Sequence, residues 1–107
     1  METNFKLALP EGKQFDAVGF GLNAVDYLIT VPNYPQFNTK VQLLEHTALP
    51  GGQVATAMAA LTRLGCKTRY IGKVGSDDLG QTQLHSLDKA GVEHSQVKIA
   101  EGASSQL

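Results

Sequence analysis

Two hydrophobic periods alternate along this chain. Phe15–Phe20 is a short, largely apolar run and predicts a buried strand, and Val25–Val31, rich in β-branched and aromatic residues, predicts a second. Pro32-Asn33-Tyr34-Pro35 then breaks the pattern, because each proline lacks an N–H and holds its predecessor in extended geometry. Val41–Thr47 alternates imperfectly and predicts a third strand. After the Pro50-Gly51-Gly52 turn the period lengthens. Val54, Ala57, Met58, Leu61 and Leu64 recur at helical spacing and form one apolar stripe, and Gly65 stands where a left-handed C′ residue ends a helix. Thr68–Val74 predicts a further strand. Asp77 caps a second helix running to about Ala90, with Leu79, Leu84 and Leu87 on its apolar side and Gly80 as its weak point. Gly91 closes that helix and Val97–Ala100 starts a short strand, while residues 1–14 read as a polar leader.

Strands alternating with helices predict an α/β layer with a parallel sheet. Residues 25–48 are the exception, since two strand-like runs flank a proline-rich turn with no helix between them, which reads as a β excursion from the sheet. At 107 residues the chain is one domain at most. Its 42% hydrophobic and 18% charged content is that of an ordinary globular sequence. The net charge of −1 offers no electrostatic basis for a nucleic acid or acidic-membrane partner. No apolar run approaches the ~18 residues of a membrane-spanning helix, and the first ten residues lack the apolar core of a signal peptide. Cys66 is the only cysteine, so no internal disulfide forms, and a cytoplasmic location is expected. His46, His85 and His94 have no metal-ligand spacing.

The chemistry concentrates at Gly51-Gly52. A glycine pair before a helix leaves the first backbone N–H groups without a covering side chain, which suits a small polar or anionic ligand. The plain alternative is a tight turn before a closely packed alanine-rich helix. A rival motif, Gly19-Phe20-Gly21-Leu22-Asn23-Ala24, matches the dinucleotide-binding Gly-x-Gly-x-x-Ala, with Glu45 at about the distance of a ribose-binding acid. That motif works only at the start of a crossover helix, and here strand-like residues run directly into Pro32, so the dinucleotide reading fails on context.

The Phe15–Asp26 run, Gly51-Gly52 with a helix ending Arg63-Leu64-Gly65, and Thr68–Val74 leading into Val74-Gly75-Ser76-Asp77-Asp78-Leu79-Gly80 occur in one order. From Phe15 to about Val92 this set resembles the amino-terminal half of the ribokinase-like, or phosphofructokinase-B type, carbohydrate kinases. The resemblance implies a ribokinase-like α/β fold, with a partial parallel sheet, flanking helices and a small β lid formed by residues 25–48. Residues 15–107 would be its amino-terminal part, with the carboxyl-terminal part absent. The activity implied is transfer of the γ-phosphoryl of ATP, with Mg²⁺, to a hydroxyl of a sugar or nucleoside.

The same resemblance gives roles to individual residues. Asp26 accepts hydrogen bonds from sugar hydroxyls, a task suited to a carboxylate with several acceptor sites. Asn23 helps to read the sugar or serves as a turn residue, and Gly51 and Gly52 form the hinge and substrate-facing pair. Thr56 departs from the family's usual asparagine, so one amide contact is lost or a larger substrate fills the gap. Asp77 and Gly80 are expected to be structural, and Lys73 a surface lysine. The family's Gly-Ala-Gly-Asp segment, which supplies the anion hole and base, does not occur in these 107 residues, nor does a Walker-type loop. The expectation is therefore a substrate-side portion, inactive alone, that pairs as a homodimer through its lid. The alternative is a non-catalytic α/β module that binds a small ligand or a partner.

Overall fold

The computed structural model describes residues 11–107, so most of the predicted leader lies outside the described residues. The elements in chain order are β1 (Ala17–Phe20), β2 (Ala24–Thr30), β3 (Glu45–Gly51), α1 (Gln53–Arg63), β4 (Thr68–Ile71), β5 (Lys73–Gly75), α2 (Asp78–Ala90) and β6 (Lys98–Ala100). β1 and β4 pair in parallel, from Ala17 opposite Thr68 to Phe20 opposite Ile71. Glu93 extends this pair on its far side, its carbonyl accepting from Tyr70 N–H at 2.8 Å and its own N–H donating to Thr68 at 3.0 Å. β5 and β6 form a second parallel pair, and β2 and β3 an antiparallel ribbon. The expected α/β class with parallel pairing is what the chain adopts.

Three local expectations need correction. The single strand over Thr68–Val74 is two strands, divided at Gly72. A Cβ at Gly72 would overlap the Tyr70 phenol, so the glycine makes room for that ring while the halves on either side pair with different neighbours, β1 and β6. The strand expected over Val41–Thr47 instead runs from Glu45 to Gly51 and includes Pro50. Val25 lies opposite Pro50, yet its N–H donates outward to the Gln106 carbonyl at 3.1 Å. The pair is therefore a non-hydrogen-bonded one, where the proline's missing donor breaks no bond of the ladder.

The third correction concerns α1. Val54, Met58 and Leu61 face the core as expected, joined by Ala55 and Ala59, but Ala57 is exposed and Leu64 is 81% exposed. α1 packs against β1 and β4 on one side and α2 on another, which turns the buried face away from the Ala57–Leu64 edge. Its end at Gly65, with φ 96°, follows the expected left-handed C′ geometry.

α2 is capped as its sequence implies. The Asp77 carboxylate accepts from Gly80 N–H at 3.0 Å, and Gly91 leaves the helix at φ 82°. Gly80, poor by helix propensity, is needed for packing, since a Cβ there would run into the Gly75 carbonyl. Met58, Tyr70, Leu87 and Val92 form the buried centre between the two helices and the β1–β4 pair.

Arg69 and Glu93 lock that pair at its edge, the guanidinium donating to the carboxylate. Hydrogen bonds from the Ser95 side chain and backbone N–H, then from Arg69, hold the Glu93 carboxyl at about 2, against an ordinary 4.5. The folded state thus binds its proton less readily than the unfolded chain. The stability this supplies is complete above about pH 4.5 and is lost as pH falls toward about 2. Urea midpoints of the wild type and Glu93→Gln should differ at pH 6 and converge near pH 2. An equal gap at both pH values would show that this ionisation carries no stability.

Candidate functional site

β2 begins and β3 ends at the amino terminus of α1, and that junction gathers the polar groups of interest. The ladder places Ala24 opposite Gly51 and Asp26 opposite Leu49, so Asp26 and Gly51 are diagonal neighbours on one face of the ribbon. The Asp26 carboxylate leans across Gly51, and a Cβ at residue 51 would overlap it. Gly52 is the N-cap of α1 with φ 91° and ψ 137°, and a Cβ there would meet the Asn23 backbone.

This geometry opens the start of the helix. No side chain caps it. Ala55 N–H reaches the Leu22 carbonyl at 3.2 Å and Thr56 N–H the Gly52 carbonyl at 3.0 Å. Among the described residues, the Gln53 and Val54 N–H groups have no protein acceptor. They lie at the positive end of the helix dipole, where an oxygen ligand is favoured. Asp26, Gly51, Gly52 and Thr56 line one cleft of about 620 Å³, together with Gln53 and Gln106. Asp26 and Thr56 are both exposed to it. A carboxylate acceptor, bare amide donors and a hydroxyl that does either form a set suited to neighbouring hydroxyls on a small polyol.

Asn23 is placed differently. It is buried, and its amide donates to the Tyr70 hydroxyl at 2.5 Å, while that hydroxyl donates to the Gly21 carbonyl. Burial pushes the Tyr70 pKa up and the Asn23 amide partly offsets this, so the phenol remains a proton donor at neutral pH. The network ties the β1–β2 connection to β4. Asn23 borders a second cleft beside the first, not the cleft that holds Asp26. The Gly19–Ala24 segment leads into a strand and not a helix, so it makes no dinucleotide-binding turn.

Two contributors are not evident from sequence pattern. Tyr70 reads as an ordinary strand aromatic; only its spacing of two from Gly72 hints that the ring covers a glycine. The 105–106 segment is held from afar, with Ser105 N–H donating to Asp77 at 2.8 Å and Gly75 N–H to the Ser105 hydroxyl at 2.7 Å. This seats Gln106 against Val25 and Gln83, a placement with no local sequence signal.

Residues 16–107 match the model of the pfkB family carbohydrate kinase. The chain is 32% identical over 93 residues to a 5-dehydro-2-deoxygluconokinase of Clostridium botulinum, covering 87% of this chain and 26% of that protein. It is 32% identical over 93 residues to a fructokinase of Solanum tuberosum, covering 84% of this chain and 27% of that protein. The fructokinase structure from Halothermothrix orenii superposes with a TM-score of 0.70 at 26% identity, over 84% of this chain and 31% of that one. The chain thus spans less than a third of the length of these relatives. Among the described residues, no helix is long and apolar enough to cross a membrane.

Proposed function

This chain belongs to the pfkB family of carbohydrate kinases, and from that premise we propose that it forms the substrate-side portion of an ATP-dependent kinase acting on a sugar or nucleoside hydroxyl. The observation that carries this reading is the convergence of Asp26, Gly51, Gly52 and Thr56 on one cleft at the open start of α1. In this reading Asp26 accepts from two substrate hydroxyls and the Gln53 and Val54 N–H groups donate to substrate oxygens. Gly51 and Gly52 are glycines because any side chain would displace Asp26 or Asn23. Asn23 is a positioning residue, holding the β1–β2 connection through Tyr70. The Thr56 hydroxyl is shorter than an asparagine amide and leaves space for a bulkier substituent.

The residues of this chain do not fit ATP or Mg²⁺. The sequence has no glycine-rich phosphate loop, and among the described residues no three His, Cys, Asp or Glu side chains lie together as a metal site would require. No phosphoryl-transfer step is assigned to it. Substrate binding without turnover is the behaviour proposed for the 107-residue chain. The exposed apolar residues Tyr27, Leu28, Ile29 and Leu49 on the ribbon support pairing of two copies through this lid. Sedimentation as a monomer at high concentration would count against that pairing.

Calorimetry against a panel of sugars and nucleosides tests the central reading. Asp26→Asn should weaken binding by about 10- to 100-fold through loss of charge-assisted bonds. Because Asp26 is exposed, folding stability should stay within about 0.5 kcal/mol of wild type. Unchanged affinity in a folded Asp26→Asn protein would remove Asp26 from the site. No binding by the wild type to any of the panel would favour a partner-binding module.

A further inference from the structure

The second cleft, next to Asn23, takes no part in the reading above. It holds about 540 Å³ and is bordered by Asn23, Gly72, Lys73, Gln96, Lys98 and Gln106. Lys73 and Lys98 are direct partners in the parallel register of β5 and β6. Their side chains therefore leave the same face of that pair, with stems roughly 5 Å apart. Like charges placed opposite one another destabilise a sheet. Both lysines are exposed, so solvent screens part of the repulsion, but no acidic side chain offsets it. Neither lysine forms an ion pair among the described residues, and no Asp or Glu borders the cleft. The remaining side-chain amides are those of Gln96 and Gln106, with Asn23 already committed to Tyr70. Gly72 adds no side chain to a lining that also includes Phe20, Leu22 and Ile71.

Two cations held in register beside a cleft, with glutamine amides next to them and no counter-charge, suit a small anion. We infer that this cleft binds a small oxyanion, a phosphate or carboxylate group, through Lys73 and Lys98. The oxyanion is either free in solution or a substituent of a larger molecule. The cleft shares Leu22 and Gln106 with the Asp26 cleft but none of its charged residues. Oxyanion binding here does not depend on the kinase reading.

The test uses the 107-residue chain, with thermal unfolding and calorimetry in inorganic phosphate, ribose 5-phosphate, gluconate and ribose. Ionic strength is held constant with chloride. At least one of the three anions should raise the unfolding midpoint saturably, and ribose should not. Lys73→Gln or Lys98→Gln should each weaken that anion by about tenfold or more, as loss of a charged hydrogen bond implies. Without anion, both variants should unfold no earlier than wild type, because the repulsion is relieved. Tighter binding of ribose 5-phosphate or gluconate than of phosphate identifies a substituent on a larger molecule; equal or weaker binding identifies the free ion. The inference is overturned if no anion stabilises beyond chloride, if the variants bind as wild type does, or if they unfold earlier without anion.

Discussion

Gly52→Ala should be among the most damaging single substitutions in this chain. The residue stands at φ 91° and ψ 137°, outside the regions open to residues with a Cβ, and the new methyl would be driven into the Asn23 backbone. Neither partner can yield easily. Asn23 is buried and tied to Tyr70, and Gly52 must turn the chain directly from β3 into α1. Strain and overlap together predict a loss on the order of 3 kcal/mol or more. Gly65→Ala is the natural control. Gly65 has φ 96° but open space around it, so it incurs backbone strain alone, about 1–2 kcal/mol. Urea denaturation of the two variants should rank Gly52→Ala well below Gly65→Ala. Equal losses would show that the approach to Asn23 is unimportant. If the Gly52 variant folds, its sugar affinity should also fall, because the open helix start would be displaced.

The second large effect is expected at Tyr70, whose ring is fully buried and whose hydroxyl joins Asn23 to Gly21. Tyr70→Phe keeps the ring packed in the core but leaves the Asn23 amide without its acceptor and the Gly21 carbonyl without its donor. The unpaired, buried Asn23 amide alone should cost about 1–3 kcal/mol, and the loss should appear in urea midpoints with an unchanged slope. A double-mutant cycle with Asn23→Ala separates a shared network from two independent effects. A network predicts that the two losses sum to more than the double variant shows. Simple additivity would mean that Asn23 and Tyr70 act alone, and the positioning role given to Asn23 would lapse.

Much of this fold could be read from residue pattern, and the limits of that reading have physical causes. α2 was legible at both ends because Asp77 and Gly91 act through local geometry that depends on few neighbours. The division at Gly72 was hidden because its cause, a tyrosine ring two residues earlier, is a matter of side-chain packing. Pro50 looked like a turn residue, and became a strand residue only because its missing N–H faces away from the ladder. Leu64 fitted a helical stripe, but a helix packed on two sides buries a different arc from one packed on a single side. Within the site, the sequence marked Asp26, Gly51, Gly52 and Thr56, which lie together. It also marked Asn23, whose side chain the structure commits to Tyr70. That engagement spans 47 residues of sequence, and no local pattern announces a contact of that length.

The distribution of aromatic rings has a practical result. The chain has no tryptophan and three tyrosines, of which Tyr27 and Tyr34 are 49% and 94% exposed while Tyr70 is sealed in the core. Near-ultraviolet circular dichroism depends on aromatic side chains held in an asymmetric, rigid setting, so Tyr70 should be the largest contributor to the tyrosine band. That phenol is hydrogen-bonded to Asn23 and Gly21, which border the second cleft. Ligand entry into that cleft, or any loosening of the β1–β2 connection, should be readable by optical spectroscopy without a label.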